Sequence, residues 1–210
     1  MRPTTITVAL TGASGMPYGL RLIDCLLDAG VRVWVLYSQA AQIVARQEMQ
    51  LTLPSRPEDF KAWLLARRPD PAAAASLEVF GREEWFAPAA SGSNPADAMA
   101  ICPCSMGTLA AVAQGMSDNL IERAADVMLK EGRKLVLVPR ETPLSVIHLE
   151  NMLRLARLGV VILPPVPAFY THPTSVDDMV DFVVSRVLDQ LGVANALIPR
   201  WGEQGAARDD

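Results

Sequence analysis

Small and hydroxyl-bearing residues gather at three points where an apolar run ends. They are Thr11-Gly12-Ala13-Ser14-Gly15 after Ile6–Leu10, Ser38 after Val35-Leu36-Tyr37, and Ser105-Met106-Gly107-Thr108 after Ile101-Cys102-Pro103-Cys104. At a strand-to-helix turn, such residues let backbone N–H groups and a hydroxyl meet an anion at the positive end of a helix dipole. That is phosphate-binding chemistry. The first turn is not G-x-G-x-x-G and no Walker lysine follows it, so a mononucleotide is favoured over a dinucleotide or ATP. Taken singly, each turn has a plain alternative: a tight turn capped by Ser14, or an ordinary helix N-cap at Ser38. Three of them on one sheet edge favour the phosphate.

A second group is charged. Val138-Pro139-Arg140-Glu141-Thr142-Pro143 places a cation and a carboxylate directly after an apolar run, between two prolines. An arginine there suits bidentate phosphate contact, and a carboxylate beside it could exchange a proton with that phosphate. The plain alternative is a surface ion pair. Arg123, Lys130, Tyr170 and Arg186 are further candidates, each of a type usually found solvated at the surface. Cys102-Pro103-Cys104 has neither zinc nor redox spacing and only His148 and His172 could join it, so no metal is expected.

The elements that must position these groups follow from periodicity. Apolar, β-branched runs at Ile6–Leu10, Val31–Tyr37, Ala98–Cys102, Leu135–Val138 and Val160–Leu163 read as buried strands. Helical patterns cover Tyr18–Ala29, Ala40–Glu48, Thr108–Ala113, Leu120–Lys130 and Val146–Leu158, and a last amphipathic helix begins at Ser175. Leu77–Phe80 reads either as one more strand or as part of an excursion, and Leu53–Pro71 as a helical insertion and linker. This alternation predicts an α/β fold: a single doubly wound, Rossmann-like (flavodoxin-like) parallel sheet with helices on both faces. Residues 1–204 are expected to form one domain and 205–210 a disordered tail.

Composition narrows the class. Half of the 210 residues are hydrophobic and 20% are charged, a surplus of apolar surface that a large homo-oligomeric interface would absorb. The net charge of −4 and the lack of a basic block argue against nucleic acid. No apolar run approaches the ~20 residues of a membrane helix, and no signal peptide is recognised, so a cytoplasmic protein with free thiols at Cys25, Cys102 and Cys104 is expected.

Several motifs, in order along nearly the whole chain, carry a resemblance. Thr11–Gly15, Ala90-Ser91-Gly92-Ser93, Ile101–Ser105, Asn119–Val127, Val138–Glu141, His148-Leu149-Glu150-Asn151-Met152, Pro167–Tyr170 and Pro199-Arg200-Trp201-Gly202-Glu203 resemble the UbiX flavin prenyltransferases. The resemblance implies binding of FMN and transfer of a dimethylallyl group from dimethylallyl monophosphate to flavin N5 and C6. It also implies release of phosphate, a dodecameric assembly, and use of the prenylated product by UbiD-type decarboxylases, as in ubiquinone biosynthesis.

By that resemblance, Gly12, Ala13, Ser14, Ser38, Ser105, Met106, Gly107, Thr108, Arg123 and Arg140 correspond to flavin-contacting positions. Lys130, Arg140, Glu141, Tyr170 and Arg186 correspond to the prenyl-phosphate cradle, some of them supplied by neighbouring subunits. Ser14 and Glu48 match positions beside flavin N5 and its proton traffic, Trp85 and Trp201 aromatic wall positions, and Ser91 and Gly92 a nearby loop. Met16-Pro17 and Met106 depart from the family pattern without removing a charge or hydroxyl. Two rivals remain: a flavin-dependent cysteine decarboxylase of the coenzyme A pathway, for which His148 is the candidate catalytic histidine, and a non-catalytic flavin carrier.

Overall fold

The computed structural model describes residues 3–68, 71–200 and 202. Six parallel strands form its sheet: β1 (Thr5–Leu10), β2 (Arg32–Tyr37), β3 (Leu77–Phe80), β4 (Ala98–Cys104), β5 (Lys134–Pro139) and β6 (Val161–Ile162). Their spatial order is β3-β2-β1-β4-β5-β6, so the chain winds outward in one direction from β1 and in the other from β4. Ile6 lies opposite Val33 of β2 on one side and Ala98 of β4 on the other. The carboxyl ends of β1 and β4 are therefore the topological switch point, where open α/β sheets receive ligands.

Period-two alternation sends successive side chains of β1 to opposite faces. Ile6, Val8 and Leu10 join a core under α1 (Met16–Asp28), α2 (Gln39–Met49), α3 (Pro57–Ala66) and α8 (Val176–Leu191). Ala9, with Trp34, Met99 and Ile101, joins a second core under α5 (Met106–Gln114) and α6 (Leu120–Lys130). Each face buries its apolar residues against helices, which is why the strands read as near-continuous hydrophobic runs.

The ambiguous run Leu77–Phe80 is a full member of the sheet, parallel to β2, with Leu77 opposite Val33. The insertion resolves into α3 and the short α4 (Pro71–Ser76). The expected strand Ala98–Cys102 extends to Cys104, and the expected helix from Tyr18 starts at Met16 with Pro17 in its first turn, where a missing N–H costs nothing. Ser175 caps α8 through a reciprocal box with Asp178, and Ser145 caps α7 (Val146–Arg157) in the same way with His148. Among the described residues no helix is long and apolar enough to cross a membrane.

Large apolar side chains stay uncovered on the outer face of α7, where Ile147 is 67% exposed beside Val146, Leu149 and Leu153, and at Phe86, Val166 and Phe169. All three cysteines are buried free thiols. Burial pushes Cys25 up to about 11 and the Cys102 and Cys104 thiols higher still, so all are held protonated at neutral pH.

Candidate functional site

The turn after β1 is tied to the turn after β4 by Thr11, which is 1% exposed. Its Oγ1 donates to the Pro103 carbonyl at 2.9 Å and accepts from the Ser105 N–H at 2.8 Å. The hydroxyl thus holds the two strand ends in register where the sheet divides. The sequence reading missed this role; a threonine directly at a strand end before glycine was the available signal. One residue on, a Cβ at Gly12 would collide with the Cβ of Ala40, so only glycine allows α2 to start this close to the β1 turn.

Between these turns lies a cleft of about 300 Å³. Gly12 contributes from the β1 turn, Ser38 to Ala40 from the start of α2, Ser105 and Thr108 from the start of α5, Asn119 and Ile121 from the start of α6, and Arg82 from the segment after β3. Ser38 Oγ accepts from the Ala41 N–H at 3.1 Å. Ser105 Oγ accepts from the Thr108 N–H at 3.2 Å and lies 3.0 Å from Thr108 Oγ1.

Helix starts leave N–H groups without a carbonyl partner, and here the four helix starts differ. At α6, the Asn119 side chain takes the N–H groups of Ile121 and Glu122, and the Arg82 carbonyl takes that of Leu120. At α1 the cap is Gly15, in the left-handed region at φ 115, and not Ser14 as the sequence suggested. The Glu48 carboxylate accepts from Gly15 N–H at 3.0 Å and Met16 N–H at 3.0 Å, so an anion from the chain itself already sits there. At the first turn the N–H groups of Gly15 and Met16 are therefore taken, while Gly12 still lines the cleft. The N–H groups of Gln39, Ala40, Met106 and Gly107 have no acceptor among the described residues, leaving α2 and α5 to face the cleft. Ser14 makes no side-chain hydrogen bond among the described residues and directly precedes Gly15, which Glu48 caps, and Ala13 is buried.

The remaining candidates do not converge within one chain. Arg140 and Glu141 are exposed directly after β5. Tyr170 and Arg186 line a different cavity, of about 540 Å³, with Arg200 and Asn195; there the Asp189 carboxylate accepts from Arg186 at 2.8 Å and Asn195 at 3.2 Å. Tyr170 packs edge-on against Phe182.

Lys130 ends α6, ~16 Å along the helix from the cleft, at the opposite edge of the sheet. It pairs with Glu131, and both crowd Gly92. Ser91 bonds Ser93, and Arg123 donates to the Ala90 carbonyl at 3.0 Å and to Asp126 at 2.7 Å, so the 88–93 segment is strapped along α6 away from the cleft. Trp85 is half-exposed on the same excursion. Trp201, Glu203 and the expected tail at 205–210 lie outside the described residues. His148 is occupied as the α7 cap: its Nδ1 accepts from the Ser145 N–H at 3.2 Å.

A doubly wound sheet whose switch point carries two open helix starts defines the class of α/β protein in which a phosphate-bearing ligand is received at the strand ends. The Flavoprotein family model matches residues 1–188. The flavin prenyltransferase UbiX of Pseudomonas aeruginosa is 56% identical over 99% of this chain and 99% of its own. A UbiX crystal structure in complex with FMN and dimethylallyl pyrophosphate superposes with a TM-score of 0.83 at 42% identity, covering 95% of this chain and 98% of that one. A dodecameric FMN-dependent UbiX-like protein from Escherichia coli O157:H7 gives 0.80 at 44% identity, covering 94% and 98%. The chain belongs to the UbiX flavin prenyltransferase family.

Proposed function

We propose that this chain is a flavin prenyltransferase: it binds FMN and transfers a dimethylallyl group from dimethylallyl monophosphate to N5 and C6 of the reduced flavin, releasing phosphate. The observation that carries the reading is the cleft at the switch point, where the starts of α2 and α5 present N–H groups, Ser38, Ser105 and Thr108 to one anion. Those groups fit the phosphate end of a mononucleotide, with Gly12 allowing close approach. The bound reduced flavin supplies the nucleophile at N5 and the ring carbon at C6.

In this reading, Lys130, Arg140 and Arg186 neutralise the charge that grows on the leaving phosphate as the allylic C–O bond breaks, and Glu141 gives it a proton. Tyr170 adds a phenolic donor. Trp85 and Trp201 offer π faces to allyl-cation character and exclude water. Ser14 and Glu48 stand near the N5 end, with Glu48 held in place by the N–H groups of Gly15 and Met16 at the start of α1. Because Lys130 and Arg140 flank opposite ends of β5, the cradle is completed by neighbouring subunits of a homododecamer, whose contacts cover the apolar face of α7.

Residues 1–204 act as one domain in the cytoplasm, and prenylated FMN passes to a UbiD-type decarboxylase. The cysteine decarboxylase alternative would rest on His148, whose Nδ1 accepts from the Ser145 N–H in the cap of α7. Anaerobic incubation with reduced FMN and dimethylallyl monophosphate, followed by mass spectrometry of the extracted flavin, should show a gain of C5H8 and released phosphate. FMN that stays unmodified while bound would leave the cysteine decarboxylase or a flavin carrier and end the transferase reading.

A further inference from the structure

Arg82 was not among the groups that the sequence singled out. It follows β3, whose place in the sheet brings residues 81 and 82 to the carboxyl edge beside β2. Its carbonyl accepts from the Leu120 N–H at 2.8 Å, which pins the main chain against the start of α6 at the mouth of the cleft. Arg82 is exposed, lines that cleft and is the single charged residue among the described lining residues. Among the described residues the guanidinium makes no ion pair or hydrogen bond. The nearby Glu84 carboxylate is turned onto the Gly81 N–H instead.

Every other lining group is neutral, and the N–H groups of α2 and α5 supply only partial charges. An unpaired guanidinium held by its own backbone at the rim, across from two helix starts, has the geometry of a phosphate clamp. Its planar fork suits two phosphate oxygens at once. Resting on the flavin reading above, we infer that Arg82 is a phosphate-binding residue that closes the cleft over the FMN phosphate and makes the protein discriminate FMN from riboflavin. The helix starts orient the phosphate, and Arg82 balances its second charge.

The test is a fluorescence-quenching titration of flavin-free, full-length protein with FMN and, separately, with riboflavin, for the wild type, Arg82→Ala and Arg82→Lys. The wild type should prefer FMN. Arg82→Ala should weaken FMN roughly tenfold, as loss of a charge-assisted contact does, and leave riboflavin unchanged. Arg82→Lys should recover part of the loss, because it restores charge without the fork. Equal weakening of both ligands in Arg82→Ala would mean that the side chain only supports its segment, and unchanged FMN affinity would mean that it does not touch the phosphate; either overturns the inference and leaves the flavin reading standing. A wild type that binds no FMN would overturn both.

Discussion

The cleft between α2 and α5 and the rim that carries Arg140, Tyr170 and Arg186 differ in how far one chain completes them. The cleft is closed by local bonds: Thr11 joins two strand ends, Ser38 and Ser105 cap their own helices, and Gly12 sets the helix spacing. The rim is open. Arg140 and Glu141 are exposed, Lys130 lies at the far edge of the sheet, and large apolar side chains stay uncovered on α7 and at Phe169. A protein that holds a cofactor-sized acceptor in one protomer and reacts it between protomers would divide its groups in this way.

The largest effect expected separates the regions by chemistry. Lys130→Ala or Glu141→Ala should lower prenylated-flavin formation about 10²-fold while FMN stays bound, read as product per bound flavin. Normal turnover in both variants would remove the charged rim from the mechanism. Next, Gly12→Val should strike the cleft alone. Overpacking against Ala40 should destabilise the fold by about 1–3 kcal/mol, seen as a lower Tm, and the displaced start of α2 should weaken FMN binding with the far-ultraviolet circular dichroism unchanged. Retention of full affinity would show that α2 need not sit so close.

A third experiment addresses the division between subunits. Dissociating and reassembling equal amounts of Lys130→Ala and Arg140→Ala should restore about a quarter of the sites, by random pairing of subunits. No recovery would place both groups in one protomer's site.

The smallest effect concerns α8, which carries Arg186. Asp178 is held below the usual carboxylate range by the N–H of Thr174 first, and then by the Thr174 hydroxyl and the Ser175 N–H. A carboxylate with a depressed native pKa stabilises the fold above its unfolded value of about 3.9 and loses that contribution as pH falls through the native value. Asp178→Asn should therefore lower Tm slightly at neutral pH, and the two melting curves should merge in acid. A difference that persisted there would rule out the carboxylate charge as its source.

The three strand-end turns were legible from composition, and two of them, at Ser38 and Ser105, cap helices whose first N–H groups stay without an acceptor among the described residues. What composition could not show at the third is Glu48, which lies 33 residues from Gly15 and reaches its N–H only when α2 packs beside α1. Arg82 was hidden for a similar reason. Leu77–Phe80 is too short for periodicity to separate a strand from an excursion, and only its pairing with β2 brings residue 82 to the cleft. Arg123 and Lys130 were recognised as cations, yet their direction depends on how the 88–93 segment runs along α6.

By itself the sequence determined the class of the fold, the positions of the strand-end turns and the family, because strand and helix periods and local turn chemistry act over a few residues. Which helix start remains open to a ligand, which is closed by Glu48, and which cations a single chain can bring to one place were decided by the tertiary structure. Those outcomes depend on hydrogen-bond partners far apart in the chain, and packing alone sets their distances.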